Sequence, residues 1–369
     1  MLGSDRPDVG IVFPTVTIAK TIAVLFDARL TRELPMRIAM FSTKPYDRRF
    51  FEAANSGHDI VYLEPRLAQE TATLAAGARA VCVFVNDDVS APVLRALHAG
   101  GTRVVLLRCA GFNHVDLKEA ERLSIAVARV PAYSPHAVAE FTIGLLLSLV
   151  RGIHRAYQRT RDGNFALEGL LGFDLQGRTA GVIGTGKIGA LVARTLAAGF
   201  GCRVLACDLH SDASLEALGV TYTDPRTLAA ESNIITLHCP LTPETHHVIR
   251  TETLALAKPG LILVNTSRGG LIDAEAAIEA LKTGQLGGLA IDAYEQEADF
   301  FFEDLSNEIL TDDLLARLLT FPNVLVTGHQ AFFTRDALQA IAEVTLSSAT
   351  HIESGRPLGA SEVRAPRLS

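Results

Sequence analysis

The sequence predicts an α/β protein with two doubly wound parallel sheets and a cleft between them. Short apolar runs, typical of buried strands, alternate with helical stretches along most of the 369 residues. The alternation falls into two series, separated by a turn-rich joint at PAYSP, residues 131–135. The second series opens on a glycine-rich turn between a strand and a helix, and the length suffices for two domains with substantial cores.

The first series begins at Met36 and supplies one sheet. Residues 1–35 contain apolar segments interrupted by charges, which make a poor signal peptide. We interpret them as an upstream extension, or a mistaken start, of unknown role. Helical or loop sequence separates the strands, so parallel βαβ units are expected. The predicted strands of this series are 37–42, 59–63, 80–85, 103–107 and 125–130.

The second series is expected to form a six-stranded sheet, and the helical residues 335–352 after it are expected to return to the first domain. The predicted domains are therefore discontinuous, 36–133 plus 332–369 for the first and 134–331 for the second. The six predicted strands are 179–183, 203–207, 233–237, 261–265, 287–291 and 323–327.

Residues 182–208 follow the order strand, glycine turn, helix, strand and acid that a Rossmann-like dinucleotide-binding unit requires. Gly184 permits the tight turn, Gly186 lets the backbone approach a pyrophosphate, and Gly189 lets the helix pack close to the strand. Asp208 ends the next strand, where a carboxylate accepts hydrogen bonds from ribose hydroxyls and repels a 2′-phosphate. The second domain is therefore predicted to bind NAD rather than NADP, which leaves the first as the substrate domain.

Three ionisable residues follow predicted strands of the second domain. Arg268 follows strand 261–265, Glu297 lies in the segment after strand 287–291, and His329 follows strand 323–327. A single arginine, glutamate or histidine at such a position more commonly has a structural role than a catalytic one. Because the carboxyl ends of parallel strands meet at the ligand-binding edge of an open sheet, the three together predict one active site.

This trio matches the needs of 2-keto acid reduction. A hydride from NADH to the carbonyl carbon must be accompanied by a proton for the oxygen and a cation for the carboxylate. Histidine suits the proton role, and a neighbouring carboxylate holds its ring in one tautomer and keeps it protonated until transfer. Arginine binds a carboxylate through two parallel hydrogen bonds and polarises the carbonyl.

The composition favours small molecules as partners over nucleic acid or metal ions. The net charge is −7 and no Lys/Arg cluster is present, which disfavours nucleic acid. The eleven histidines show no tight metal-ligand spacing, so no metal is expected. Five cysteines without a CxxC pair, mostly in apolar runs, predict buried reduced thiols and a cytoplasmic protein.

The most apolar helical stretch is residues 137–150. It is too short for a membrane span and carries Glu140, so no membrane partner is expected. A helix that is apolar on most faces must be buried in a core or against another subunit. We favour a subunit interface, in keeping with a homodimer.

Several stretches resemble the D-isomer-specific 2-hydroxyacid dehydrogenases, and most closely their fermentative D-lactate branch, over about residues 36–360. The resemblance implies NAD-dependent reduction of pyruvate to D-lactate by a dimer, with Arg268 binding substrate, Glu297 supporting the histidine and His329 donating the proton. The stretches are FSTKPYD (41–47), LRCAGFNHVD (107–116), VPAYSPHAVAEF (130–141), GVIGTGKIG (181–189), HCPLTPET (238–245), VNTSRGGLID (264–273), DAYEQEADFFFED (292–304) and GHQAFFT (328–334).

The same resemblance implies further binding residues. His238 resembles a family histidine near the nicotinamide, and Asp292 would accept a hydrogen bond from its carboxamide. The substrate would contact the backbone N–H groups of Ala110 and Gly111 and the rings of Tyr133 and Phe332. Beyond the glycines, the implied cofactor contacts are Lys187, Ile188, Asp208, Cys239, Pro240, Thr245, Thr266, Ser267, Arg268 and Asp292.

Two alternatives stay open at this point. A member of the same family could prefer hydroxypyruvate, glyoxylate, phenylpyruvate or a bulkier branched 2-keto acid, a choice set by the pocket wall around Tyr133 and Phe332. A non-catalytic protein that senses NAD would keep the same fold, and an intact catalytic trio argues against it.

Overall fold

The computed structural model of the protein describes residues 35–365, and the interpretation of residues 1–35 as an extension therefore lies almost wholly outside the described residues. Two sheets organise the described chain. Their strands in chain order are β1 (Arg37–Met40), β2 (Asp59–Tyr62), β3 (Ala80–Val83), β4 (Val104–Leu107), β5 (Ala126–Arg129), β6 (Thr179–Ile183), β7 (Arg203–Cys207), β8 (Thr221–Tyr222), β9 (Ile234–Leu237), β10 (Leu261–Asn265), β11 (Leu286–Ile291), β12 (Val324–Val326) and β13 (Glu362–Val363).

Both sheets are doubly wound, so the predicted fold class is confirmed. The first sheet has the order β13-β5-β4-β3-β1-β2, and all its pairs are parallel except β13 with β5. The second has the order β12-β11-β10-β9-β6-β7-β8 and is parallel throughout. In the second sheet the winding direction reverses between β6 and β9, where ligands of such sheets bind.

The structure has two strands that the sequence analysis does not predict. The second sheet has seven strands within the described residues rather than six, because β8 adds two residues beside β7. The first sheet gains β13 from the end of the described chain, paired antiparallel to β5. Two-residue strands are too short to show a hydrophobic period, so sequence patterning does not reveal them.

Helices cover the faces of the sheets. The long final helix packs against the first helix and against β4 and β5, so this segment lies on the first sheet. In chain order the α-helices are α1 (Pro45–Ala54), α2 (Ala91–Ala99), α3 (Leu117–Arg122), α4 (Pro135–Val150), α5 (Ile153–Arg161), α6 (Lys187–Arg194), α7 (Ala213–Glu216), α8 (Pro225–Glu231), α9 (Thr251–Leu256), α10 (Ala274–Thr283), α11 (Asp313–Leu319) and α12 (Arg335–Glu353).

Local sequence explains where helices α4 and α12 begin. The Ser134 hydroxyl accepts a hydrogen bond from the Ala137 N–H, and Pro135 occupies the first turn of α4. The Thr334 hydroxyl caps α12 in the same way, through the N–H of Ala337. Each cap satisfies a backbone donor that the helix itself cannot, which fixes the residue at which the helix begins.

Helix α4 is buried mainly within its own chain. It packs against α6, β10 and β11, and seven of its residues are buried. Its apolar character therefore follows from this packing, and its predicted role as a subunit interface stays a prediction. In the described part of the chain no single helix is long and apolar enough to cross a membrane; α4 and α5, bent by 62°, pass that test only as a pair.

Candidate active site

A cleft of about 670 Å³ opens between the two sheets, at the carboxyl ends of their strands. Residues from both sheets line it, and the predicted site residues are strongly represented. From the second sheet and its joint come Ile188, His238, Cys239, Pro240, Thr266, Ser267, Arg268, Asp292 and His329; from the first sheet and the helix packed on it come Ala110, Gly111, Tyr133 and Phe332.

A histidine–carboxylate pair lies at the floor of the cleft. His329 Nδ1 is 2.7 Å from Glu297 Oε1, and both side chains are mostly buried. The other oxygen of Glu297 accepts the Tyr294 N–H at 2.9 Å, which holds the carboxylate in place. This contact uses Nδ1 of the ring and leaves Nε2 free to meet a ligand.

Asp292 holds the loop that carries His329. Its buried carboxylate accepts the Thr327 hydroxyl at 2.5 Å, the Gln330 N–H at 2.9 Å and the Ala331 N–H at 2.8 Å. Its carbonyl accepts the His329 N–H at 2.7 Å. His329 has a φ of +51°, a left-handed conformation that costs energy for a residue with a Cβ and persists where its surroundings hold it. Asp292 supplies that restraint, a positioning task that the sequence motifs do not reveal.

The loop after β10 presents Arg268 to the cleft. Buried Asn265 closes a turn by accepting the Ser267 N–H at 3.0 Å and donating to the Arg268 carbonyl at 2.8 Å. The Ser267 hydroxyl donates to the Cys239 carbonyl at 2.8 Å and ties this loop to the one after β9. The turn therefore fixes the backbone from which the Arg268 guanidinium extends.

Gly111 accommodates that guanidinium from the first-sheet side. A Cβ at Gly111 would clash with Nη2 of Arg268, so the absence of a side chain permits this approach. Arg129 holds the same loop by donating to the Ala110 carbonyl at 3.0 Å. Within residues 35–365 the N–H groups of Ala110 and Gly111 have no acceptor, which leaves two donors at the cleft.

Aromatic rings close the remaining wall. Tyr133 packs against Phe332 with a centroid distance of 6.1 Å, and Phe332 against Phe84 at 5.9 Å. Burial raises the pKa of Tyr133 to about 12, so its hydroxyl is neutral at physiological pH. Phe302 lies 5.9 Å from the His329 ring. These rings are uncharged, and they suit a small organic group.

The glycine turn has the geometry that a pyrophosphate needs. Gly184 has a φ of +91°, and a Cβ on it would strike the Cys239 backbone; a Cβ on Gly189 would strike the Gly184 carbonyl. In the described part of the chain the N–H groups of Gly186, Lys187 and Ile188 have no acceptor. Free donors at a helix start bind phosphate, so these residues fit a dinucleotide.

Asp208 stands at the end of β7, next to this turn. Burial raises its pKa, but hydrogen bonds from the backbone of Thr185 and His210 outweigh that effect and bring the pKa below its ordinary value. The carboxylate is therefore ionised at neutral pH. It is exposed and able to accept further hydrogen bonds.

His238 faces the cleft with a buried Nε2 that has no partner among the described residues. Burial lowers the pKa of its ring to about 3, so the ring is neutral. Thr245 is engaged within its own loop, where its hydroxyl donates to the Pro240 carbonyl at 2.6 Å. A buried ring nitrogen without a partner is uncommon in proteins.

Most of the predicted site residues thus line the cleft, and a few lie outside it. Glu297 lies behind His329 and does not line the cleft. The glycines of the turn, Lys187, Asp208 and Thr245 do not line the cleft, whereas Ile188 does. Sequence reasoning missed Arg129, which stands outside the quoted motifs, and did not single out Phe302 within the motif at 292–304. Only the fold brings Arg129 to the cleft and Phe302 beside the His329 ring.

Comparison with known proteins agrees with this geometry. The profile of the D-isomer specific 2-hydroxyacid dehydrogenase, NAD binding domain, matches residues 143–331. A 2-hydroxyacid dehydrogenase homolog of Haemophilus influenzae is 54% identical over 323 residues, which are 87% of this chain and 97% of that protein. The D-lactate dehydrogenase of Escherichia coli is 52% identical over 322 residues, 87% and 98% of the two chains.

Solved structures give the same result. The apo-structure of the Escherichia coli D-lactate dehydrogenase superposes with a TM-score of 0.80 and 49% identity, covering 89% of this chain and 100% of that one. The Aquifex aeolicus D-lactate dehydrogenase complexed with NAD and lactic acid superposes with a TM-score of 0.79 and 31% identity, covering 89% and 99%.

An α/β fold with a dinucleotide turn beside a His–Glu pair and an arginine defines a nicotinamide-dependent oxidoreductase. The chain belongs to the D-isomer-specific 2-hydroxyacid dehydrogenase family and has its NAD-binding domain. The resemblance read from the motifs and the predicted cofactor, NAD, are thereby confirmed.

Proposed function

We propose that this enzyme is an NAD-dependent D-lactate dehydrogenase that interconverts pyruvate and D-lactate. The observation that carries the proposal is the His329–Glu297 pair in a small cleft with Arg268. The names of the Escherichia coli and Aquifex aeolicus relatives support lactate as the substrate.

Substrate binding is assigned to both sides of the cleft. The Arg268 guanidinium pairs with the substrate carboxylate and polarises the keto oxygen. The N–H groups of Ala110 and Gly111, which lack acceptors among residues 35–365, bind the same carboxylate. Tyr133 and Phe332 enclose the methyl group, and their bulk favours a short side chain.

The proton is assigned to His329. With Nδ1 bonded to Glu297, the protonated ring presents Nε2–H to the keto oxygen, and the Glu297 charge stabilises the imidazolium. When bound, NADH supplies the hydride for the carbonyl carbon. His329 then becomes neutral, and the reverse reaction returns the proton from the lactate hydroxyl to Nε2.

The cofactor contacts follow from the same arrangement. The turn of Gly184, Gly186 and Gly189, with the N–H groups of Lys187 and Ile188, receives the pyrophosphate, and Asp208 the ribose hydroxyls. Cys239, Pro240, Thr245, Thr266, Ser267, Arg268 and Asp292 line the path towards the nicotinamide, beside His238.

The domain division is also proposed. Residues 36–133 and 332–369 act as the substrate domain and 134–331 as the NAD-binding domain. Closure of the two around the ligands would exclude water and align the reacting atoms.

We further propose a homodimer in the cytoplasm. Segment 151–171 exposes the large apolar side chains of Ile153, Tyr157, Phe165, Leu167 and Leu171, and exposed apolar groups are often found at interfaces. A second copy of the chain is the occupant proposed for it. All five cysteines are free, as a reducing compartment requires.

The test is NADH oxidation by the purified protein with a panel of 2-keto acids, followed by chiral analysis of the product. Fast conversion of pyruvate to D-lactate is expected. Faster turnover of hydroxypyruvate, glyoxylate or phenylpyruvate would keep the mechanism and reject lactate. No turnover with NADH bound would instead favour an NAD-sensing binding protein. Sedimentation velocity of the same sample tests the dimer.

A further inference from the structure

A cluster of metal-ligating side chains lies outside the catalytic trio. His246 and His247 are adjacent in the loop after β9, and Glu295 lies in the loop after β11. The one ligand atom that each offers lies within 4.8 Å of the other two. Sequence spacing does not reveal this cluster, because the histidines and the glutamate are 48 residues or more apart.

The distances are close to those between ligands that share one ion, and they are also within hydrogen-bond range. His246 Nε2 is 3.3 Å from Glu295 Oε1, and His247 Nε2 is 3.2 Å from Glu295 Oε2. A tetrahedral ion with ligands about 2.0–2.2 Å away keeps neighbouring ligand atoms roughly 3.3–3.6 Å apart.

The backbone holds the two histidines in this arrangement. The His246 N–H donates to the Thr242 carbonyl at 2.9 Å, and the His247 N–H to the Gly270 carbonyl at 2.9 Å. His247 has a φ of +50°, which turns its ring beside that of His246, and the two rings stack with centroids 3.8 Å apart. Stacking of this kind brings both Nε2 atoms to one carboxylate.

From this geometry we propose that His246, His247 and Glu295 form a binding site for a divalent transition-metal ion, with Zn²⁺ as the best match. Two imidazoles and a carboxylate suit Zn²⁺, whereas Ca²⁺ and Mg²⁺ prefer oxygen ligands. Part of each side chain is exposed, so water completes the coordination. The inference does not depend on the identity of the keto acid.

The site would link two loops of the active-site region. Thr242, near one end of the histidine loop, lines the cleft, and Glu295 is two residues before Glu297. A bound ion would therefore restrain the segment that carries the partner of His329. Gly270 packs beneath the cluster, where a Cβ would lie 3.5 Å from Glu295 Oε1, an ordinary contact distance.

The test uses the full chain, stripped of metal with a chelator and titrated with Zn²⁺ by calorimetry. One site per chain is expected, and Co²⁺ in its place should give the visible absorption of a low-coordinate complex. His246→Gln, His247→Gln and Glu295→Gln should each weaken Zn²⁺ binding by about tenfold or more, since even changes beyond the ligands cost roughly 10- to 100-fold.

His98→Gln, on α2, is the matched control and should bind Zn²⁺ as the parent does. NADH binding by a variant shows that the variant is folded. If His247→Gln misfolds, the proposal is tested by His246→Gln and Glu295→Gln alone. The proposal is overturned if the parent binds no Zn²⁺, if the three variants bind it unchanged, or if His98→Gln loses as much affinity.

Discussion

The two walls of the cleft differ in what they offer a substrate. The second-sheet wall carries the ionisable groups Arg268 and His329, with Glu297 behind them, each held by backbone hydrogen bonds in its loop. The first-sheet wall offers the backbone donors of loop 110–111 and aromatic rings, and its Arg129 is engaged with a carbonyl of that loop. The ionisable groups are thus concentrated on one wall and the uncharged rings and backbone donors on the other, so substitutions on the two walls should act differently.

The largest expected effect comes from the second-sheet wall. His329→Ala should lower kcat for every keto acid by about 10²- to 10⁴-fold, because the proton donor is lost, while the dissociation constant of NADH stays the same. Steady-state kinetics and NADH fluorescence measure the two quantities. His98→Ala is the control, and a His329→Ala variant with near-normal turnover would reject the division between the walls.

A change on the first-sheet wall should act on selectivity instead. Phe332→Leu should raise the ratio of kcat/KM for phenylpyruvate to that for pyruvate by roughly tenfold or more, since a hydrophobic wall discriminates by about 1–3 kcal/mol. The neighbouring Phe333→Leu, at an exposed position, should leave the ratio unchanged. Equal losses with both substrates would place Phe332 in the chemistry rather than in the fit.

Asp208 lies on the second-sheet side outside the cleft, and a substitution there tests the choice between NAD and NADP. Asp208→Ser should shift the preference between NAD and NADP by about tenfold towards NADP, because a hydrogen bond to a charged group is worth about 1.5–3 kcal/mol and the repulsion of a 2′-phosphate disappears. Competition of the two cofactors in single-turnover assays measures the shift. An unchanged preference would mean that another group contacts the ribose.

Gly111 belongs to the first-sheet wall and lies against Arg268 of the second-sheet wall, so a substitution there tests the contact between the two walls. Gly111→Ala should displace the Arg268 guanidinium and raise KM for pyruvate several-fold, up to about tenfold, with little loss of stability because the displaced atoms end a flexible side chain. Gly144→Ala, inside α4 with open space at its Cβ, is the control. If the two variants gave the same KM, the close approach of Arg268 to Gly111 would have no bearing on binding.

A further prediction concerns stability in acid. Burial lowers the pKa of His238 to about 3, below the value of about 6.5 in the unfolded chain. As the pH falls from about 6.5 towards 3, His238 becomes protonated in the unfolded state but stays neutral in the native state. The free energy of unfolding therefore decreases by about 1.4 kcal/mol per pH unit. His238→Asn should remove this part of the slope in urea titrations. A slope that persists in full would mean that the native ring is protonated.

The fold and most of the cleft were accessible from the sequence because their signals are local. Strand rhythm, the GTGKIG turn and the strand-end positions of Arg268 and His329 each depend on neighbours within a few residues. By contrast, β8 and β13 carry no periodic signal, and Arg129 reaches the cleft through packing alone. The domain division and the roles of the site residues stay predictions for the experiments above.

By itself, the sequence determined the two parallel sheets, the dinucleotide turn and the residue types that could carry the chemistry, because hydrophobic period and turn chemistry are properties of short segments. Only the tertiary structure decided that the Asp292 carboxylate holds the His329 loop, that Gly111 accommodates Arg268, and that two histidines meet Glu295. Those contacts join residues far apart in the chain, and their geometry is set by how the sheets and loops pack.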